Sequence, residues 1–368
     1  MSALKEILLT RIRQFGPMGL DAYMLEALLH PEHGYYATRD PFGSAGDFTT
    51  APEISQMFGE MIGLALAQTW MDQGAPARFA LVELGPGRGT LMTDILRATR
   101  SVAGFGAAEI HLVEASAVLR QKQVDTIGAT PIWHDTAQDL PQLPCFVIAN
   151  EFFDALPIRQ FLRKGEHWHE RVVSEDDGAL ILGLAPARAP DMLSHRLSDT
   201  KEGDLIEVCP MATGITDHIA HHIATYGGAF LALDYGDWRS QGDTLQALKS
   251  HSFSDILDDP GNADITAHVD FEPLHGALSS HKLNVSLITP QGVFLERLGI
   301  TARAQALAKN LTEEALEAHI KAHHRLCHPS EMGALFKVIG ATPADQPMIP
   351  GLETRAQSAP DIPPTAGV

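Results

Sequence analysis

RFALVELGPGRGTLMTDILR, residues 78–97, is the stretch that decides the fold. Its first part is a short apolar run, which predicts a buried strand, and its last part has apolar residues at helical spacing. Between them Gly85, Gly87 and Gly89 stand at alternate positions. Glycine permits a sharp backbone turn and lets a ligand lie against main-chain N–H groups at the start of a helix. The stretch therefore predicts a strand, a glycine turn and a helix, with a nucleotide-type cofactor site at the turn.

The glycine spacing distinguishes between cofactors. A dinucleotide fingerprint needs GxGxxG, whereas here Thr90 occupies the place of the last glycine and an acid, Glu83, precedes the loop on the strand. No GK[ST] follows the glycines, which excludes a Walker loop. The pattern favours S-adenosylmethionine over NAD, with Glu83 among the binding residues. The alternative is an ordinary tight turn between a strand and a helix.

Acidic residues also follow the next two predicted strands. Residues 110–113 form an apolar run that ends in Glu114, and a helix resumes at Ala117. An acid at the tip of the second strand can accept hydrogen bonds from both ribose hydroxyls of a cofactor, although a charge at a helix N-terminus is the alternative reason for it. The third strand, in ATPIWHD at residues 129–135, ends in Asp135, where an adenine ring would lie.

The fourth strand is nearly all apolar and opens into a polar cluster. It covers residues 145–149 and is followed by Asn150, Glu151 and Asp154. Polar groups at the carboxyl end of a buried parallel strand fall in the crevice where open α/β sheets bind ligands. The alternative for the two acids is an N-cap or a local turn.

Two helices, over residues 3–15 and 20–29, are predicted before the glycine stretch, and a loop rich in Pro, Gly and Asp follows them. Thr50 and Glu53 have the spacing of a capping box at the start of the next helix. We predict that GDFTTAPE, residues 46–53, forms a lid whose helix N-terminus, at Thr50, faces an anionic group of the cofactor. The alternative is an irregular loop followed by a capped helix.

The fold class that these patterns predict is α/β, with a Rossmann-like sheet, N-terminal helices, an inserted antiparallel meander and C-terminal helical additions. Short alternating runs over residues 158–185 indicate the meander, and GAFLALDYG, 228–236, returns to a buried strand. The segment from there to Asp264 is predicted as loop with some helix. The predicted regions are N-terminal helices and lid (1–75), the main domain (76–340) with an insertion at about 158–226 and a helical addition at about 300–328, and a Pro-rich tail (341–368).

Composition and charge exclude several classes of protein. A net charge of -19 would repel a phosphate backbone, so nucleic acid is not expected as a partner. No apolar run approaches the roughly 20 residues that a membrane-spanning helix needs. Three distant cysteines fit a reducing compartment, and the N-terminus lacks the apolar core of a secretory signal. The sequence predicts a cytoplasmic protein, with the mitochondrial matrix as the alternative.

No metal site is predicted from the histidines. The groups at residues 218–222 and 319–324 have helical spacing, but neither has the HExxH glutamate or a nearby cysteine pair.

Several segments together resemble the MidA family of class I S-adenosylmethionine-dependent methyltransferases. The resemblance spans residues 17–340 and rests on GDFTTAPEISQMFGE, LVELGPGRGTLM, NEFFDALPIRQF, LALDYG, DITAHVDF and TPQGVFLERLGI. Mitochondrial members of that family act as protein arginine methyltransferases in respiratory complex I assembly. The resemblance implies a sheet whose last strand is antiparallel, cofactor binding by Gly85, Gly87, Gly89 and Glu114, and a substrate cleft lined by NEFFDALP.

The implied substrate is a protein with an accessible arginine. A guanidinium is charged throughout the usual pH range, so carboxylates that orient one of its nitrogens are expected. Glu151 and Asp154 are the candidate catalytic residues, with Asn150 and His268 as supporting polar groups. The alternatives are a methyltransferase for a small oxygen or nitrogen nucleophile, and a cofactor-binding assembly protein without turnover.

Overall fold

The computed structural model describes residues 2–38, 49–249 and 252–354. Within these ranges the helices are α1 (Ala3–Phe15), α2 (Leu20–Leu29), α3 (Tyr35–Thr38), α4 (Ala51–Ile54), α5 (Gln56–Asp72), α6 (Thr90–Ala98), α7 (Ala117–Ile127), α8 (Pro210–Tyr226), α9 (Phe271–Ser280), α10 (Gln291–Arg297), α11 (Ile300–Ala308), α12 (Glu313–Cys327) and α13 (Met332–Leu335). The strands are β1 (Met18–Gly19), β2 (Ala80–Leu84), β3 (Glu109–Val113), β4 (Ile132–His134), β5 (Cys145–Asn150), β6 (Arg159–Lys164), β7 (His167–Asp176), β8 (Ala179–Leu184), β9 (Leu205–Val208), β10 (Gly228–Asp237), β11 (Gln246–Lys249), β12 (Ser252–Ser254), β13 (Asp264–Thr266), β14 (Val269–Asp270), β15 (Asn284–Val285), β16 (Thr289–Pro290) and β17 (Phe336–Thr342).

The main sheet has the strand order β15-β17-β10-β5-β2-β3-β4, with β14 paired to β10 and β16 paired to β17. Strands β10, β5, β2, β3 and β4 are parallel, whereas β17 is antiparallel to β10. This topology confirms the predicted Rossmann-like α/β sheet and the antiparallel last strand that the resemblance implies.

Both faces of this sheet are buried, which explains why its strands are apolar throughout rather than alternating. Leu81 packs with α5 and α6 in one core, while its neighbour Val82 packs with α8 and α9 in the other. Because successive side chains point to opposite faces of a strand, Glu83 lies on the same face as Leu81. One acid is thereby placed inside the apolar core next to the glycine turn.

A second layer covers the carboxyl edge of the sheet. We call it the outer layer, and it consists of α1, α2 and the strands β7, β8, β11 and β13, whose apolar side chains form a separate core. Helices α1 and α2 have the bounds that the periodicity predicts. The predicted meander is also present as β6, β7 and β8, each antiparallel to the next.

Several element predictions are wrong in detail. The helix predicted after Thr50 is broken at Ser55, which has extended backbone angles and accepts a hydrogen bond from the N–H of Met57 at the start of α5. The helical addition predicted at about residues 300–328 is two helices, α11 and α12. The segment predicted as loop with some helix contains β11 and β12, which are too short for a period to show.

The predicted regions need two boundary corrections. Helix α8 packs against β5 and β10 of the main sheet, although the sequence-based boundaries put it inside the insertion. The predicted end of the main domain at residue 340 falls inside β17, which continues to Thr342. After β17, Met348, Ile349 and Leu352 are buried in the core of the α5 face.

Two predictions fall partly outside the described residues. Residues 46–48 of the predicted lid, including Phe48, are not described, and neither is the part of the tail beyond residue 354. Among the described residues, no helix is both long enough and apolar enough to cross a membrane.

Candidate functional site

The strand register brings the predicted site residues to one edge of the sheet. Leu84 is paired with Val113 on one side and with Ala149 on the other, and Val113 is paired with His134. On the far side Asn150 is paired with Leu233. Since these strands are parallel, the residues that follow β4, β3, β2 and β5 lie in a row along the carboxyl edge, in the order Asp135, Glu114, Gly85 and Glu151. Asp234, inside β10, lies next to Glu151 in this row.

A cavity of about 370 Å³ lies over this edge, between the sheet and the outer layer. That volume is within the range of about 300 to 1,000 Å³ that small-molecule sites occupy. Five of the predicted site residues line it, namely Gly85, Gly87, Glu114, Asp135 and Glu151. Thr50, Glu83, Gly89, Asn150, Asp154 and His268 are not among the described residues that line it.

The glycine turn has backbone angles that require glycine. Gly85, Gly87 and Gly89 have φ of +60°, +53° and +86°. A Cβ atom on Gly85 would lie 2.8 Å from the ring of Phe152, so the turn also packs closely against the segment after β5. A Cβ atom on Gly89 would instead lie 3.1 Å from Ile127 on α7. Two glycines therefore face the cavity, and the third allows helix packing.

Glu114 is fixed with its carboxylate at the cavity. Its side chain is 8% exposed, Oε1 accepts a hydrogen bond from the N–H of Ser116 at 2.7 Å, and Oε2 accepts one from the side chain of Gln123 at 3.1 Å. Burial raises the pKa of Glu114, and these hydrogen bonds to the charged form oppose the rise. The carboxylate is thus oriented before any ligand arrives.

Gln123 is a site residue that the sequence interpretation missed. It is fully buried, donates to the carbonyl of Gly87 at 2.8 Å as well as to Glu114, and accepts from the indole N–H of Trp133 at 2.8 Å. One side chain therefore joins the glycine turn to the acid after β3. A glutamine in the middle of a helix gives no spacing signal, so only the structure identifies it.

Glu83 is buried beneath the turn. Burial, together with the nearby charge of Glu114, raises the pKa of Glu83 to about 8, while the N–H of Met92 opposes the rise. Its Oε2 atom has no hydrogen-bond partner among the described residues. Glu83 itself does not line the cavity, but the glycine cradle and the oriented carboxylate of Glu114 do, and they fit a ligand that brings hydrogen-bond donors, as the ribose of S-adenosylmethionine does.

Asp135 is at the end of the cavity that the sequence assigns to adenine. It follows β4, lines the cavity, and forms an ion pair with Arg120 at 2.5 Å. Its side chain is 83% exposed, so this pair contributes little to stability.

Glu151 is the carboxylate on the other side of the glycine turn. Its Oε1 atom accepts from the N–H of Ala51, at the start of α4, at 2.8 Å and from the side chain of Asn150 at 3.2 Å. Burial raises the pKa of Glu151 to about 7, and these two donors oppose the rise. The helix N-terminus that we predicted for an anion of the cofactor is therefore occupied by Glu151.

Asp234 holds the turn that carries Glu151. It is fully buried, and its Oδ2 atom accepts from the backbone N–H groups of Phe152, Phe153 and Asp154 at 3.2, 2.9 and 3.3 Å. Burial and the nearby charges of Asp154 and Glu151 raise the pKa of Asp234 well above its usual value. The sequence shows Asp234 at the end of a strand, but spacing alone does not reveal which turn it binds.

Asp154 and His268, both predicted near the substrate, lie behind the turn. Burial raises the pKa of Asp154 to about 6, although the hydroxyl of Tyr235 opposes the rise. The His268 ring lies edge-on to Tyr235, with ring centres 5.3 Å apart, and its backbone N–H donates to Thr244. Neither side chain reaches the cavity wall.

The predicted capping box is wrong. Thr50 precedes α4 but its side chain makes no capping hydrogen bond. Glu53 accepts a hydrogen bond from the hydroxyl of Thr90 at 2.5 Å, so the acid joins α4 to the start of α6. Thr50 directly precedes Ala51, whose N–H donates to Glu151, but Thr50 does not line the cavity.

One group of described residues has the composition of a metal site. Glu296, His323 and Cys327 each place a candidate ligand atom within 4.8 Å of the others. The Thr301 hydroxyl already lies 2.6 Å from Glu296 Oε1 and 2.9 Å from His323 Nε2. Hydrogen bonding accounts for two members of this group, and the absence of a metal site stays a prediction.

A Rossmann-like sheet with an antiparallel last strand, a GxGxG turn and an oriented acid after the second core strand define a S-adenosylmethionine-dependent methyltransferase. The chain belongs to the family described as S-adenosyl-L-methionine-dependent methyltransferase, whose model matches residues 61–289. The residues that would hold the cofactor are Gly85, Gly87 and Glu114, with Asp135 beyond them.

Curated relatives and a solved structure agree with this assignment. The chain is 35% identical over 366 residues to "Protein arginine methyltransferase NDUFAF7, mitochondrial" of Homo sapiens, covering 91% of this chain and 82% of the relative. It is 33% identical to the homolog of that protein in Drosophila melanogaster, covering 93% and 85%. A crystal structure from Burkholderia thailandensis with S-adenosyl-homocysteine bound superposes with a TM-score of 0.82 at 28% identity, covering 95% of this chain and 94% of the other.

Proposed function

We propose that this chain transfers the methyl group of S-adenosylmethionine to an arginine side chain of a protein substrate. Relatives that are about 35% identical over most of their length are named protein arginine methyltransferases. The observation in this chain that best supports the proposal is the carboxylate of Glu151, which lines the cavity next to the glycine turn.

The electrostatic state of Glu151 suits a cationic substrate. A partly buried carboxyl with a pKa of about 7 is poorly stabilised in its charged form when no cation is present. A guanidinium entering the cavity would favour the ionised form and could be held by two parallel hydrogen bonds. The two donors on Oε1, from Ala51 and Asn150, fix the orientation of the carboxylate beforehand.

The residues of this chain contribute mainly positioning. When bound, S-adenosylmethionine supplies a methyl group activated by its sulfonium sulfur. Gly87 and Glu114 would hold the nucleoside part of the cofactor, while Glu151 would orient one guanidinium nitrogen toward the methyl group and accept hydrogen bonds from it. Correct alignment of two reactants is worth up to about 7 to 11 kcal/mol of the barrier, so no covalent intermediate with the protein is needed.

The proposal is tested by substituting Glu151→Gln, which keeps the shape and removes the charge. We expect cofactor affinity to stay nearly unchanged and transfer of labelled methyl groups to arginine to fall more than about tenfold, a loss of about 1.4 kcal/mol or more in the transition state. Asp154→Asn should lower transfer as well, through the turn that carries Glu151. The acceptor is a lysate from cells lacking this chain, with methylarginine mapped by mass spectrometry.

Glu166→Gln is the matched control, because Glu166 is exposed in the turn between β6 and β7. It should transfer methyl groups at the parent rate. If Glu151→Gln and Asp154→Asn also did so, the arginine assignment would lose its residue-level support. A small neutral nucleophile or a role without turnover would then be the better interpretation.

The same mass spectrometry identifies the substrate and informs the cellular location. The names of the relatives include the word mitochondrial, which supports the mitochondrial-matrix alternative and gives no support to the cytoplasmic prediction. We therefore propose that the substrate is a protein of the mitochondrial matrix. Methylarginine found only on proteins of another compartment would overturn this choice.

A further inference from the structure

The cavity has an outer half that the cofactor residues do not form. The inner half consists of the glycine turn and the residues that follow β3, β4 and β5. The outer half is built by two helices that lie outside this set, α2 of the outer layer and α8, which packs against the main sheet. Its wall is mostly apolar, and its lining residues are Leu25, Leu28, Leu29, Met211, Ile215 and His218.

These helices present large apolar side chains to solvent at the cavity. Leu25 and Leu29 are four residues apart, so they stand on one face of α2, and each is 42% exposed. Met211 and Ile215 have the same spacing on α8, and Met211 is also 42% exposed. A cluster of exposed apolar side chains around a cleft is typical of a binding surface, whereas single exposed apolar side chains are common on any protein.

The charge inside the cavity indicates what approaches this surface. The carboxylate of Glu151 lines the same cavity next to Phe152, and Glu151 is less exposed than Leu25 and Leu29 of the apolar wall. The whole chain has a net charge of -19. A ligand that satisfies both regions has a cationic group at the end of a long side chain and apolar groups close to its backbone. Arginine in a peptide, flanked by large apolar residues, has this arrangement.

We propose that Leu25, Leu29 and Met211 form a docking surface for large apolar residues next to the target arginine of a protein substrate. The proposal rests on the proposed arginine methyl transfer and adds the chemistry of the segment around the arginine. In this proposal α2 and α8 determine which substrate residues are preferred next to the arginine, and the inner half of the cavity binds the cofactor.

The test uses two synthetic peptides that carry one arginine, flanked on both sides by leucine in the first and by serine in the second. Peptide binding to the full chain, saturated with S-adenosyl-homocysteine, is measured by fluorescence anisotropy, and methyl transfer is measured with labelled S-adenosylmethionine. We expect the leucine peptide to bind about tenfold more tightly than the serine peptide, since burying two leucines readily supplies such a factor. The same ratio should appear in KM, with kcat little changed.

Leu25→Ser combined with Leu29→Ser should reduce this preference to nearly one and leave S-adenosyl-homocysteine affinity unchanged. Because both side chains are half-exposed, the double variant is expected to fold, and Met211→Ser provides an independent single variant. Ile7→Ser is the matched control, since Ile7 is 41% exposed on α1 and does not line the cavity. The control should keep the full preference.

The outcomes separate this proposal from the arginine assignment. If the leucine peptide is preferred and the double variant removes the preference, but no methyl group is transferred, the docking surface stands and the arginine assignment fails. If both peptides bind or react equally, the docking surface is wrong even when arginine is methylated. A loss of S-adenosyl-homocysteine affinity in the double variant, or a dimer of the parent that Leu29→Ser disperses in sedimentation, would assign the surface to the cofactor or to a second copy and overturn the proposal.

Discussion

Glu151 has a φ of +49°, a conformation that is uncommon for residues other than glycine and costs about 1 kcal/mol or more. The surrounding structure holds it there, because its N–H donates to the carbonyl of Leu233 at 2.9 Å and its carboxylate is bound by Ala51. An unfavourable conformation that is fixed by contacts on both sides is characteristic of functional positions. The positive φ of Glu151 therefore supports the proposal that its carboxylate has a functional role.

Gly87 and Glu114 test the cofactor half of the site. Gly87→Val should abolish binding of S-adenosyl-homocysteine in calorimetry, because a branched side chain opposes a φ of +53° and blocks close approach to the backbone. Glu114→Ala should weaken binding less, by a few kcal/mol at most, since it removes hydrogen bonds only.

Glu109→Ala is the control for Glu114→Ala, because Glu109 lies at the opposite end of the same strand and pairs with Arg78 on the surface. It should bind the cofactor product like the parent. A folded Gly87→Val protein with normal affinity would show that the glycine turn is not the cofactor site.

At the scale of elements, the segment after β5 depends on a strand that follows it by some 80 residues. The carboxylate of Asp234, inside β10, is the common acceptor for three successive N–H groups in that segment. Because these N–H groups are buried, removal of the acceptor leaves them without hydrogen-bond partners. The free-energy cost of three unpaired buried donors exceeds the stabilisation that the three hydrogen bonds provide.

Asp234→Ala should therefore lower the free energy of unfolding by about 2 kcal/mol or more and reduce methyl transfer at the same time. Denaturant unfolding and the labelled transfer assay measure the two effects. Asp237→Ala is the control, because Asp237 ends the same strand but is exposed. If both alanine variants were equally stable, the turn would not depend on the Asp234 carboxylate.

The packing of α5 against α6 depends on glycine. A Cβ atom on Gly59 would lie 2.5 Å from the Cβ of Asp94, closer than such atoms approach in folded proteins. Gly59→Ala should destabilise the protein by about 1 to 3 kcal/mol, because the two helices must separate.

Gly276→Ala is the matched control, since it is also inside a helix, α9, and an added Cβ atom would meet nothing within 4 Å. It should stabilise the protein by up to about 1 kcal/mol through helix propensity. Thermal unfolding of the two variants measures both signs. A stabilising Gly59→Ala would contradict the close helix contact.

The elements that were predicted correctly have an amphipathic repeat over many residues or a clear helix-breaking residue at their ends. Helices α1, α2 and α7 have the predicted starts, because amphipathic repeats and breakers mark them. β11 and β12 are three or four residues long, and Ser55 interrupts an apolar pattern that continues across it, so local periodicity could not detect either feature. Tertiary pairing, not local preference, decides such segments.

For the site, sequence reasoning found the residues at strand ends and missed those that act through distant contacts. Gly85, Glu114 and Glu151 follow apolar strands, so the topology of a parallel sheet was enough to predict that they lie close together. Gln123 and Asp234 act on atoms 36 and about 80 residues away, and no spacing along the chain encodes that. Asp154 follows the same strand as Glu151, but the turn directs it away from the cavity.

At the scale of the whole molecule, the cofactor would bind between two separately packed bodies, the main sheet and the outer layer. A ligand that binds only the folded state stabilises it according to its concentration, by about 2.7 kcal/mol at one hundred times Kd. For a chain of this length, S-adenosyl-homocysteine at that concentration should raise the midpoint of thermal unfolding by about 3 °C.

NAD is the control ligand and should produce no shift, because the glycine turn lacks the last glycine of the dinucleotide fingerprint. Differential scanning fluorimetry with both ligands measures the comparison. A shift with NAD and none with S-adenosyl-homocysteine would contradict the cofactor assignment.

The place of β17 in the sheet has a consequence for how the chain is made. β10 lies between β5 and β17, and β17 (Phe336–Thr342) is the last strand among the described residues. Until the ribosome has added β17, the apolar strand β10 is paired along most of its length with β5 alone, because β14 covers only Gly236 and Asp237. Its other edge stays open and can pair with strands of other nascent chains. The outer layer also cannot form until β7 has been made, because Met18 of β1 pairs with Val173 of β7. Synthesis of this protein therefore leaves an aggregation-prone strand edge exposed until β17 has been made, and truncation before Phe336 would make that exposure permanent.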